Sequence, residues 1–284
     1  MPAESQTIPG NILAATDFSP ASQNAVLCAS SFARRWGTKM FLANVVSSRN
    51  ENTVMDAWRA GQAEVTRHLI ADHLDGVQYE LAVRQGEIWD ALSGLIAAKD
   101  VTLVVVGTRG RTGVRKLVLG SVAESIFRKA PCPVISVGPN VSSEHAARTA
   151  DRILVATGLA AHSTHAVPFG VKLATTLHST IALVNVVTRV DPKDSHETVE
   201  RDRQRILEGL LPSEARPDSA PAFFVEFGPA AEQIVRAAAR WKASLIVLGL
   251  REVEETSRKE TTWATAYEII SRAGCPVLTL RSFD

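Results

Sequence analysis

The sequence predicts a parallel, doubly wound α/β fold built twice in tandem, and three observations carry that prediction. The same blocks recur in the same order in both halves of the 284-residue chain. Each half alternates β-branched apolar runs with segments of helical periodicity. One run per half is apolar almost without interruption, which suits a strand covered on both faces by helices.

The repeat settles the architecture before any motif is considered. Ile12-Leu-Ala-Ala-Thr16 returns as Ile153-Leu-Val-Ala-Thr157, and Leu42-Ala-Asn-Val-Val46 as Leu183-Val-Asn-Val-Val187. Residues 83–107 match 225–249 in pattern, with Gly86 opposite Gly228, and Ala130-Pro-Cys-Pro-Val134 matches Ala273-Gly-Cys-Pro-Val277. From the first block to the last the offset drifts by two residues, from 141 to 143. Chance similarity among apolar strands does not keep four blocks in order at nearly constant spacing.

In the first half, strands are expected over 11–16, 40–46, 77–83, 102–106 and 134–137. Helical patterns fall between them at 19–35, 54–74, 87–98 and 121–129. Strands alternating with helical crossovers require a parallel sheet with helices on both faces. The expected unit is thus a Rossmann-like domain with a five-stranded parallel sheet in the order 3-2-1-4-5. The first domain is placed at 1–138 and the second at 151–284. Residues 139–150, rich in serine and small residues and without apolar periodicity, serve as the linker.

Composition narrows the function classes. The chain is 45% hydrophobic and 21% charged, with a net charge of +1, so nothing global favours nucleic acid or an anionic membrane as partner. No run approaches the roughly 18 apolar residues of a membrane helix, and residues 1–10 lack the pattern of a signal peptide. Three dispersed cysteines make neither a disulfide framework nor a zinc site, and a reducing cytoplasm is the expected location.

The chemistry concentrates between the fourth strand and the helix after it. Residues 107–121 contain Gly107, Gly110 and Gly120, end on Ser121, and carry Arg109, Arg111, Arg115 and Lys116 with no acidic residue. Glycines let main-chain N–H groups approach a ligand closely, and a helix N-terminus favours an anion. A phosphate suits such a segment. A solvated basic loop is the plainer alternative, and Ser121 with Glu124 also fits a capping box that needs no ligand. No Gly-x4-Gly-Lys-Ser/Thr loop is present, and no Gly-x-Gly-x-x-Gly follows the first strand, which excludes Walker-type and dinucleotide sites. The first turn instead reads Ala15-Thr16-Asp17-Phe18-Ser19. In the expected strand order it flanks the switch point opposite Gly107, so Asp17 either faces a ligand or caps the following helix, a role Ser19 fills equally well.

Ala-Thr-Asp-Phe-Ser after the first strand, Gly-x2-Gly-x9-Gly-Ser after the fourth, and Cys-Pro-Val at the fifth together resemble the universal stress protein family. The resemblance spans residues 11–138 and 151–281, and the spaced glycines resemble the ATP-binding branch. It implies that Gly107, Gly110, Gly120 and Ser121 hold the phosphates and ribose of ATP, with Arg109 and Val122 beside them. It also implies that Ala15, Thr16 and Asp17 line the nucleotide and that main chain at Val45 meets the adenine; Mg²⁺ with the ATP is open, with Asp17 the one carboxylate that could help hold it. A further implication is pairing through the last strands, 134–137 and 277–280, as an internal pseudo-dimer, with a homodimer of chains also open.

The second half acts as an internal control. Asp17 corresponds to Gly158, Gly110 to Glu252, and Gly120 and Ser121 to Trp263 and Ala264, while Gly107 persists as Gly249. Its loop carries Glu252, Glu254, Glu255 and Glu260 against Arg251, Arg258 and Lys259, a net charge near −1 where the first loop has +4. Such a loop repels a triphosphate, so the second domain is expected to serve packing or partner binding. The remaining features have structural explanations. Cys132 and Cys275 are read as buried, and His162 and His165 as surface histidines. Trp36, Trp58, Trp89 and Trp241 are expected against the sheets, and residues 201–205 on a solvated helix face.

The expected protein is therefore a cytoplasmic ATP-binding stress protein in which ATP acts as a regulatory ligand. No nucleophile–base pair for hydrolysis is legible. A slow ATPase or phosphotransferase and a scaffold that binds no nucleotide are the competing readings.

Overall fold

The computed structural model describes residues 9–46, 51–64, 74–108, 121–159, 165–211, 220–251 and 259–282. The chain divides into two compact units, Met1–Thr149 and Ala150–Asp284. In the first, the order is β1 (Asn11–Ala15), α1 (Pro20–Trp36), β2 (Met40–Val46), α2 (Glu51–Glu64), β3 (Tyr79–Gln85) and α3 (Ile88–Ala98). Then come β4 (Val101–Gly107), α4 (Ser121–Lys129), β5 (Val134–Val137) and α5 (Ser143–Ala147).

The second unit repeats the plan. It contains β6 (Arg152–Ala156), α6 (Ala166–Leu177), β7 (Thr180–Val187), α7 (His196–Gly209) and β8 (Ala222–Phe227), followed by α8 (Ala230–Trp241), β9 (Leu245–Arg251), α9 (Lys259–Arg272) and β10 (Val277–Ser282).

Within each unit the described strands run parallel, ordered β3-β2-β1-β4-β5 in the first and β8-β7-β6-β9-β10 in the second. This is the predicted doubly wound order. Its central strands are buried: Ile12, Leu13 and Ala14 of β1, Val104 and Val105 of β4, and Ile153, Leu154 and Val155 of β6 are all 0% exposed. Parallel strands sandwiched by helices exclude water from both faces, which is why these runs lack polar alternation.

Local signals account for the helix ends. Ser19 caps α1, with Pro20 at the first position and Gly37 ending the helix at φ +64°. Whereas α1 closes on a left-handed glycine, α6 and α8 close on left-handed His178 and Lys242.

Two expectations need correction. The segment after β5 carries the short helix α5, capped by Ser142 and packed against α1, with Asn24 Nδ2 donating to Val141 O at 2.9 Å. One helical turn is too short to show periodicity in sequence. Trp58 of α2 does not pack into a core: it is 43% exposed, beside Met55 at 51%. Of the helix expected over 54–74, residues 65–73 lie outside the described residues. Among those described, no helix is long and apolar enough to cross a membrane.

Candidate functional site

In a doubly wound sheet the two inner crossovers leave on opposite faces and open a crevice at the strand carboxyl ends. Here that crevice lies between β1 and β4. Ala15 is in register with Ala43 on one side and Val106 on the other, so the chain leaves β1 beside the point where β4 reaches Gly107. β2 continues to Val46, past its last pairing with β1, which places Val45 beyond the end of the central strand.

The β1–α1 turn is built by its own side chains. Thr16, 8% exposed, accepts from Phe18 N at 3.0 Å and shares a hydrogen bond with Ser22 Oγ at 3.0 Å. Phe18 is thereby held at φ +59°, costly for a bulky residue. Asp17 Oδ1 accepts from Ser19 N at 3.0 Å and from Ser19 Oγ at 2.5 Å, while Ser19 Oγ accepts from Ser22 N at 3.3 Å. The two readings of the turn thus resolve into a division of labour: Ser19 caps α1 and Asp17 orients Ser19.

Asn44 was not singled out by motif. Its side chain, 8% exposed, donates from Nδ2 to Thr16 O at 2.8 Å and ties β2 to the turn. The available signal was its recurrence as Asn185 in the repeat.

The structure therefore brings Ala15, Thr16, Asp17, Val45, Gly107 and Val122 to one end of the sheet, at the carboxyl ends of β1, β2 and β4 and in the first turn of α4. Ser121 opens α4, but its side chain, like Arg109, Gly110 and Gly120 entirely, lies outside the described residues. Glu124, the second member of the expected capping box, is ion-paired forward to Arg128 at 3.1 Å.

The second domain reproduces the backbone of this turn without its chemistry. Leu159 takes φ +62° and donates to Thr157 Oγ1 at 3.3 Å, as Phe18 does to Thr16. Asn185 Nδ2 donates to Thr157 O at 2.8 Å, as Asn44 does to Thr16. Registers match as well: Ala156 pairs with Val184 and Leu248 as Ala15 pairs with Ala43 and Val106. Side chains do not match. Asp17 is replaced by Gly158, Ala43 by Val184, the buried Thr108 by the buried Leu250, and Val106 by Leu248.

The result at this position is a largely apolar cleft of about 240 Å³, bounded by the ends of β6, β7 and β9 and by α8 and α9.

The shared glycine has its own explanation in the second domain. A Cβ at Gly249 would lie 2.8 Å from His165 Cε1 and 3.2 Å from Ala166 Cβ. Gly249 is thus required by close packing at the start of α6, whatever the cleft holds. It also corrects the expectation for His165, which is half-buried with Nε2 out of solvent; His162 lies outside the described residues. Burial pushes the thiols of Cys28, Cys132 and Cys275 up to about 12, so none is a nucleophile near neutral pH. Among the described residues no cluster of His, Cys, Asp or Glu could hold a metal ion.

Fold and crevice together define the class: a tandem pair of doubly wound α/β domains, the second with an open cleft where its strand order reverses. The universal stress protein family matches residues 10–138 and 149–281, and the chain belongs to that family. Over 139 residues it is 31% identical to a protein of Staphylococcus haemolyticus assigned to the universal stress proteins, covering 45% of this chain and 83% of that one. A Staphylococcus aureus relative (strain USA300) shows the same identity, with 82% of its length covered. A universal stress protein from Archaeoglobus fulgidus superposes with a TM-score of 0.68 at 16% identity, covering 95% of this chain and 98% of that one. At that identity the likeness establishes the fold.

Proposed function

We propose that the first domain binds ATP as a regulatory ligand and that the second domain does not. The observation carrying this reading is convergence. Asp17, Val45, Gly107 and Val122 come from four separate elements and meet at one end of the sheet. The chain between Gly107 and Ser121 supplies three further residues suited to phosphate: Arg109, Gly110 and Gly120. Val45 lies beyond the end of β1, where main chain is placed to meet an adenine edge, and the N-terminus of α4 favours the phosphates.

A regulatory role is favoured over hydrolysis by Asp17. Its Oδ1 already accepts two hydrogen bonds from Ser19, which commit it to orienting the cap of α1. Mg²⁺ would reach this site with the nucleotide's own phosphates. A slow ATPase or phosphotransferase would instead show turnover that disappears in Asp17→Asn. The same proposal places the protein in the cytoplasm and leaves a homodimer of chains open.

Calorimetry with ATP and Mg²⁺ on the full chain tests the reading, with Gly110→Glu as the variant that copies the second domain. One ATP per chain, lost in the variant, is expected. Absence of binding by the intact chain would sink the nucleotide reading and favour a scaffold. Two per chain would show that the second site also functions.

A further inference from the structure

We propose that the second domain uses its switch-point cleft to bind a neutral, mainly apolar molecule of one or two rings. The cleft is the positional counterpart of the nucleotide crevice, and the substitutions at its strand ends make it less polar, while on the helix side Thr265 stands where the first domain has Val122. Gly158 removes a carboxylate, Val184 and Leu248 enlarge the apolar floor, and Leu250 replaces a buried hydroxyl with a buried alkyl group. Ile234 and Ile269 close the wall on the helix side. Simple loss of a nucleotide site would require none of these changes; deleting the loop glycines would suffice. Together they convert a polar crevice into one that gains free energy by covering apolar surface.

Size and charge select the occupant. A dry apolar cavity of roughly 150 Å³ accommodates benzene. The cleft, at about 240 Å³, has room for one or two rings. No charged side chain is among the described residues that line the cleft, so an anionic group, phosphate or fatty carboxylate alike, would lie there without a counter-charge. Thr157 and Thr265 supply the polar part of the lining, so a ring bearing one neutral polar group matches better than a pure hydrocarbon. This assignment concerns the second domain alone and stands whether or not the first domain binds ATP.

The probe is 1-aminonaphthalene, neutral at pH 7 and blue-shifted in emission when it leaves water. Titration of the full chain is expected to show one saturable site per chain, undiminished by saturating ATP. Ala230→Phe, which fills the cleft from the first turn of α8, is expected to weaken binding at least tenfold, and Ile234→Phe to do the same from deeper in the helix. Isoleucine methyl NMR on the unsubstituted protein gives a readout that needs no variant. Ile234 and Ile269 shift on addition of probe, while Ile126, the counterpart of Ile269 in the first domain, does not. No saturable binding, displacement by ATP, shifts at Ile126 in place of Ile269, or full affinity in both filled variants would each overturn the proposal.

Discussion

The two domains share one backbone and differ in what that backbone presents. Thr16 and Thr157 each organise the turn after the central strand, Phe18 and Leu159 each accept a left-handed conformation there, and Asn44 and Asn185 each tie the second strand to the same carbonyl. A strained turn retained in both copies, one with a carboxylate and one without, is part of the scaffold. The strain therefore gives no information about ligand. What separates the domains is a small set of side chains at one end of the sheet and the sign of the charge on one connection. The two copies differ by substitution at the strand ends, Asp17 and Thr108 against Gly158 and Leu250, and by the charge of the sequence after β4 and β9, basic in the first and slightly acidic in the second.

Seven substitutions bear on this comparison. The largest effect is expected from Gly110→Glu, which should reduce ATP affinity by on the order of a hundredfold, or ~2.7 kcal/mol. The reciprocal change, Gly158→Asp, should not confer ATP binding on the second domain, because the acidic connection remains. Calorimetric stoichiometry checks both, and a second ATP in Gly158→Asp would show that one carboxylate separates the domains. Next is Gly249→Ala, where the added Cβ meets His165. A loss of roughly 1–3 kcal/mol in urea unfolding is expected, as for other overpacked sites, with ATP binding unchanged.

A smaller and symmetric effect belongs to the asparagines. Asn44→Leu and Asn185→Leu should each cost about 1–1.5 kcal/mol. Unequal costs would break the claim that these bridges are common scaffold. Ser19→Ala removes a helix cap and should cost about 1 kcal/mol. Because it also removes one of the two hydrogen bonds that Ser19 makes to Asp17 Oδ1, a change in ATP affinity beyond that expected from stability would connect the cap to the site.

The smallest effect lies at the opposite end of the sheet, where the domains also diverge. Glu80 pairs with Lys39 at 2.6 Å and Lys99 at 3.2 Å. Both ammonium groups sit over the Phe41 ring, at 5.0 and 5.1 Å. In the second domain Ala222 and Ala182 occupy the places of Glu80 and Phe41, and Arg152 stacks on Trp241 at 4.4 Å instead. The hydrogen bond from Lys39, then that from Lys99, holds the Glu80 carboxyl below its ordinary value.

A lowered carboxylate pKa adds stability above the unfolded-state value, near 4.3 for glutamate, and that stability is lost as pH falls through the folded-state value. The cluster is exposed, so the contribution is below about 1 kcal/mol. Urea unfolding of the unsubstituted chain and Glu80→Gln at pH 6 and pH 3 should differ at the higher pH and converge at the lower. A constant difference would place the effect in packing.

Much of the site was legible because it is written in short-range rules. The β-branched runs gave β2, β5 and the core of β4 to the residue or nearly so, since a strand buried on both faces tolerates little else. Asp17 and Gly107 were placed correctly at the switch point because strand order follows from the handedness of crossovers. Features that depend on what arrives from elsewhere were not legible. Asn44 matters through a carbonyl 28 positions away in sequence, and Gly249 is explained by a histidine from another element. Trp58 has helical spacing but an exposed face, because periodicity reports which residues share a side and not whether that side is covered.

By itself the sequence determined the tandem repeat, the parallel order within each domain and the asymmetry of charge between the two loops. Those are properties of pattern and composition, carried by residues acting where they stand. Tertiary structure alone decided that the altered residues of the second domain meet around one apolar cleft. Gly158, Val184 and Leu248 span ninety positions of chain, and they meet Ile269, which is unchanged from Ile126. Only the registers of the parallel strands and the packing of α8 and α9 bring them together, and a hydrophobic surface acts as a site only once its parts share one boundary with water.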